Sequence, residues 1–96
     1  MKKPAECATI SEVRDEIDRI DQEIIQLIAQ RYGYVKEMVR FKSNAEDVKA
    51  QKRYDEVFVK RRHWAAENGL APDMVEQVYK TIVHYFIDEQ MKMIKK

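Results

Sequence analysis

Glycine and proline are scarce, with two of each in 96 residues. Sheets and loop-rich folds need turn residues every ten positions or so, and this chain lacks them, which favours a few long helices. A single cysteine, Cys7, excludes an internal disulfide framework and any cysteine-based zinc site. Neither sign of charge dominates. The chain has 18 Lys and Arg against 17 Asp and Glu, is 36% charged and 45% hydrophobic, and so is neither a polybasic arm nor a disordered tail. No apolar run approaches the ~18 residues of a membrane span, and Met1 to Glu6 lack the apolar stretch of an export signal. A cytoplasmic location without a membrane partner is the expectation. At this length one domain over residues 1–96 is expected, near the size at which a single core only just offsets chain entropy.

What is present reads as three helices, the first of them long. Thr9 and Glu12 have the capping-box spacing, and the stripe after them runs Val13, Ile17, Ile20, Ile24, Leu27, Arg31, Tyr34, Met38, Phe41. Its steps alternate between four and three, a helical seam that continues to about residue 42 without a proline. Such a helix is about 50 Å long at 1.5 Å per residue. A compact domain of this size is only about 30 to 35 Å across. The rest of one chain cannot cover that seam, so a second copy, related by two-fold symmetry, is expected to cover part of it. The polar segment Ser43 to Asp47 breaks the pattern. Val48, Tyr54, Val57, Phe58 and Trp64 then mark a shorter helix that stops at Asn68-Gly69, where a left-handed cap is easy. Pro72 suits the first position of a third helix with the stripe Val75, Tyr79, Ile82 or Val83, Phe86, Gln90 and Met93 or Ile94.

Polar residues on these apolar faces are the functional candidates. Arg31 has Leu27 and Ile28 a turn before it and Tyr34 and Val35 a turn after, so no helical neighbour is an acid. A guanidinium cannot escape burial by losing its proton, so a distant carboxylate, an anionic ligand or water at the rim must satisfy it. Gln90 sits between Phe86, Ile87 and Met93, Ile94, and a buried amide needs partners whether it sets core register or meets a ligand. Lys42 lies eleven residues past Arg31, about 20° away around the helix, so the two cations share a face. Arg53 alone reads as a surface residue, and Arg14 has Asp18 and Asp21 for local pairing. Arg14 stands about 25 Å along the helix from Arg31, so only the Arg14 of a partner chain could join it at one small molecule.

No Cys/His cluster, glycine-rich nucleotide loop or nucleophile motif occurs, and His63 and His84 are isolated surface or packing residues on this reading. No metal or cofactor is expected. The basic runs Lys60 to His63 and Lys95-Lys96 raise nucleic-acid binding, but acids alternate with bases elsewhere and solvated surface is the reading adopted. A cationic, partly apolar site with an amide and no evident base suits a reaction that needs charge stabilisation and conformational restraint.

Arg14 in Val13-Arg14-Asp15-Glu16-Ile17-Asp18, Arg31 in Ala29-Gln30-Arg31, Lys42 after Phe41, Arg53 in Gln51-Lys52-Arg53, and Gln90 in Ile87-Asp88-Glu89-Gln90 together resemble the all-helical chorismate mutase family. The resemblance covers the chain from about residue 8. Lys2, Pro4, Cys7, Trp64 to Leu70 and Ile82 to Gln90 are most similar to its isochorismate pyruvate-lyases of salicylate and siderophore synthesis. It implies an all-α, intertwined two-fold homodimer of three-helix chains acting on a small dicarboxylate, isochorismate or chorismate, with no cofactor. Arg31 and Arg53 of one chain and Arg14 of the other would bind carboxylates. Lys42, in a mobile lid, and Gln90 would contact the enolpyruvyl ether oxygen. A dedicated mutase has acids where this chain has Tyr54 and Ala50, which favours the lyase with secondary mutase activity. A monofunctional chorismate mutase and a non-catalytic helical dimerisation module are the alternatives.

Overall fold

A computed structural model describes residues 2–42 and 44–94, with the side chains of all these except residues 45 and 49. The described residues form four α-helices: α1 (Ile10–Met38), α2 (Ala45–Lys49), α3 (Gln51–Glu67) and α4 (Pro72–Ile94). Short 3-10 turns lie at Pro4–Glu6 and Val39–Phe41, and no strand occurs among the described residues. The chain divides into two compact units, Met1–Tyr34 and Val35–Lys96. The expected all-helical class is what forms.

In the first unit α1 opens on a variant of the expected capping box. The Thr9 hydroxyl accepts from the Glu12 amide at 3.1 Å, while the Glu12 carboxylate reaches one residue further back, to the Ala8 amide at 2.6 Å. The Lys2 ammonium, 2.8 Å from the same carboxylate, and the Ala8 amide hold the Glu12 pKa below the usual range. Arg19 bridges Glu16 and Glu23 at 2.9 and 2.8 Å along the helix surface. The apolar seam is uncovered: Val13, Ile17, Ile20, Ile24 and Leu27 are all exposed, and Leu27 keeps 60% of its surface in solvent.

In the second unit the structure departs from the sequence expectation at both ends of the polar break. Instead of running to residue 42, α1 ends at Met38, tightens into the Val39–Phe41 turn and leaves Lys42 extended. Of the expected break, Ser43 lies outside the described residues. The Asn44 side chain caps α2 by accepting from the Asp47 amide at 2.9 Å. The helix expected from Val48 is two helices, because Ala50 adopts a left-handed conformation (φ 39°, ψ 66°). Its N–H closes α2 on the Glu46 carbonyl at 2.8 Å, and its own carbonyl accepts from the Tyr54 amide at 2.9 Å to start α3. A left-handed residue with a side chain costs about 1 to 2 kcal/mol, and those two hydrogen bonds with Val48, 5% exposed, hold it there.

The end of α3 is the one expected. Gly69, at φ 73°, lets its own N–H reach the Ala66 carbonyl at 3.2 Å and the Leu70 N–H reach the Ala65 carbonyl at 2.9 Å. Pro72 then begins α4, with Ala71 accepting from Met74 and Val75. α4 packs on α3, α2 and the Val39–Phe41 turn. Val57, Phe58 and Val83 form the core, with Tyr54, Tyr79 and Ile87 against it. Trp64, expected inside, is half exposed. Ala65 is buried in its stead, and the indole serves as one of two rings over which Arg61 lies, each about 5.1 Å away, the other being Tyr79.

Gln90, 6% exposed, is the buried polar residue of this unit among the described residues. Its Nε2 donates to the Val35 carbonyl at 2.9 Å across 55 residues of sequence. Val35 lies in the last turn of α1, so this hydrogen bond ties α4 to the end of that helix. Replacing Gln90 by Leu keeps the bulk but removes that donor. The Gln90→Leu variant is expected to lose about 1 to 3 kcal/mol of stability, read as a lower urea midpoint at unchanged slope.

Candidate active site

Lys42 and Gln90 are placed as donors with capacity to spare. The Lys42 ammonium, half buried, gives one of its three protons to the Asp47 carbonyl of α2 at 2.8 Å. Extended backbone at Lys42 and the short helix beyond it make that contact possible, since an uninterrupted α1 would carry the side chain past α2. The Gln90 amide likewise spends one N–H on Val35 and keeps the second, with its rotation fixed by the first. Both groups can stabilise negative charge that grows on an oxygen.

Arg53 stands exposed in the first turn of α3, in the same unit. One residue on, the Tyr54 side chain packs against the core, and its hydroxyl lies 2.6 Å from His84 Nε2 of α4. Position 50 presents a methyl on left-handed backbone. Neither place therefore holds a carboxylate. Arg14 and Arg31 belong to the first unit, both on α1, the former exposed and the latter half buried, and a rigid helix keeps them about 25 Å apart.

Sequence reasoning did not find His84 as a partner of Tyr54. Thirty residues separate them, and an isolated histidine on a mixed helix face carries no local signal of what another helix brings to it. The basic run from Lys60 is better explained by the structure than by its composition. Arg61 lies over the Trp64 and Tyr79 rings and donates to the Val57 carbonyl, Arg62 pairs with Asp73 at 2.8 Å and Glu76 at 3.3 Å, and His63 meets Glu67 at 3.0 Å. Lys95-Lys96 lie outside the described residues. Among the described residues no group of His, Cys, Asp and Glu could hold a metal ion, and no helix is long and apolar enough to cross a membrane.

Comparison with known proteins bears on the same stretch of chain. The family model for chorismate mutase type II matches residues 13–91, from the early α1 seam through Gln90. The isochorismate pyruvate lyase of Pseudomonas aeruginosa strain PAO1 is 39% identical over 92 residues, which is 96% of this chain and 91% of the relative. A match that takes in all four helices, with the ammonium of Lys42 and the amide of Gln90 already set as donors, makes this chain a member of the chorismate mutase type II family.

Proposed function

We propose that this protein is an isochorismate pyruvate-lyase with secondary chorismate mutase activity, working as a two-fold homodimer without a cofactor and supplying salicylate for siderophore synthesis in the cytoplasm. The observation that carries the choice of lyase over mutase is the pair of places flanking Arg53. Ala50 offers a methyl on left-handed backbone, and the Tyr54 hydroxyl is already hydrogen-bonded to His84, so no acid is available there. The name of the Pseudomonas relative points the same way.

Atom balance defines what the site must do. Isochorismate becomes salicylate and pyruvate when the ring–ether C–O bond breaks and one ring hydrogen moves to the enolpyruvyl methylene carbon, and no external base or oxidant enters. Charge builds on the ether oxygen as that bond lengthens. Lys42 and the second N–H of Gln90 serve as donors to it, while Arg31 and Arg53 of one chain and Arg14 of the other hold the two carboxylates in the folded conformer that brings methylene and ring hydrogen together. Donors fixed beforehand, the one by Asp47 and the other by Val35, need little rearrangement as the transition state forms.

The uncovered α1 seam supports the dimer. Ile17, Ile20, Ile24 and Leu27 expose about half of their surfaces or more along one face, and packing that face on its two-fold mate removes them from water. It also supplies Arg14, which the helix of its own chain holds too far from Arg31.

Incubation with isochorismate and with chorismate, each alone, tests the assignment. Salicylate is expected to form from the first with a larger kcat/KM than prephenate from the second, and the reverse order would establish a chorismate mutase instead. Lys42→Ala is expected to lower kcat at least about 100-fold with helicity retained, as removal of a transition-state donor does. The double variant Ile17→Glu/Ile24→Glu is expected to sediment as a monomer and to lose turnover with the dimer. A fully active monomer would refute the shared site.

A further inference from the structure

The residues ahead of α1 fold back against its first two turns. A 3-10 turn over Pro4–Glu6 bends the segment, and the Lys3 N–H donates to Glu6 Oε1 across it at 2.7 Å. The fold-back brings the Lys2 ammonium to Glu12, at 2.8 Å. The same carboxylate accepts from the Ala8 N–H at 2.6 Å, while the Glu12 N–H donates to the Thr9 hydroxyl at 3.1 Å. One turn further along α1, Glu16 is held below the usual carboxylate range first by Arg19 and then, to a smaller degree, by the Lys2 backbone amide. Residue 2 therefore reaches as far as the second turn of the helix it precedes.

This clasp sits where a helix is weakest. The first four N–H groups of a helix have no partner within it, and Ile10, the first residue of α1, keeps 66% of its surface in solvent. Arg14 is the fifth residue of α1 and is exposed. Glu12 and Glu16 lie about 40° apart around the helix, and Arg14 stands roughly opposite both. The segment thus grips the back of the turns that carry Arg14 and leaves the guanidinium side open.

We infer that residues 2–8, fastened by Glu12, hold Arg14 in place for the substrate carboxylate, with Glu12 as a positioning residue that acts through the backbone of the first turns of α1. The inference rests on the role given to Arg14 in the proposed function. A guanidinium on a fraying helix end has to be ordered as the ligand binds, and that ordering subtracts from affinity. On a clasped end it is ordered beforehand. An exposed ion pair alone contributes little, so the cap and the fold-back act together and the effect falls on binding more than on the chemical step.

A double-mutant cycle on the whole protein reads this, with steady-state kinetics on whichever of isochorismate and chorismate it turns over faster, and with circular dichroism and sedimentation to check helicity and assembly. Glu12→Ala is expected to raise KM about fivefold with kcat within about twofold, and Glu12→Gln, which keeps an oxygen for the Ala8 N–H, to recover most of that loss. In an Arg14→Ala background, Glu12→Ala is expected to raise KM no further. An unchanged KM in Glu12→Ala, a fall in kcat alone, or losses that multiply in the double variant would overturn the clasp as a positioning device and leave the lyase assignment intact. Arg14→Ala with wild-type kinetics would remove Arg14 from the site, and the inference with it. Should Glu12→Ala not fold or assemble, Ala8→Pro takes its place in both comparisons. It removes the N–H that Glu12 binds and leaves Glu12 itself intact, and Cys7, at φ −72° and ψ 126°, already has the backbone that a residue before proline favours.

Discussion

An apolar stripe left in water is the constraint from which the rest follows. Val13, Ile17, Ile20, Ile24 and Leu27 all lie on one face of α1, yet no residue of that helix is buried. At roughly 25 cal/mol per Å² of apolar surface, an open face of this kind is a large free-energy deficit for a chain with so small a core of its own. The second unit, by contrast, closes on itself. Val57, Phe58 and Val83 supply the apolar contacts between α3 and α4, and Arg62 with Asp73 and Glu76 fixes how the two helices meet. Those ion pairs are exposed enough that register, more than stability, is what they contribute.

The same division orders the polar groups. Residues that the proposed chemistry needs as fixed donors, Lys42 and Gln90, are anchored to backbone carbonyls, which cannot rotate away as a side-chain partner could. Of the guanidinium groups that would grip carboxylates, Arg14 and Arg53 are exposed on helix surfaces, while Arg31 is half buried. Donors held rigidly in this way are suited to charge stabilisation at one atom.

Much of this was legible from residue pattern. The start of α1 at Thr9, the Gly69 cap, Pro72 as the opening of α4 and the burial of Gln90 all follow from local rules of spacing and conformation, and the structure bears them out. The end of α1 and the split at Ala50 were not legible. Nothing in alanine announces a left-handed conformation, which here is imposed by the Glu46 carbonyl on one side and the Tyr54 amide on the other. Trp64 was misplaced because periodicity ranks residues by hydrophobicity, whereas its ring is used as a platform for a cation. The meeting of Tyr54 and His84 depends on the crossing of two helices, information that no window along the chain contains.

The contact between Lys42 and the Asp47 carbonyl joins the fate of a side chain to that of a helix. Five residues are too few for a helix to persist unaided in water, so α2 exists because Asn44 caps it, Val48 is buried and an ammonium binds near its C-terminal end. By reciprocity, a change that melts α2 sets the ammonium free, and an anion that draws the ammonium towards itself loosens α2 unless both can be satisfied together. Three protons on one nitrogen allow that sharing. Ligand affinity and the order of the segment around residues 44–49 are then two readings of a single equilibrium.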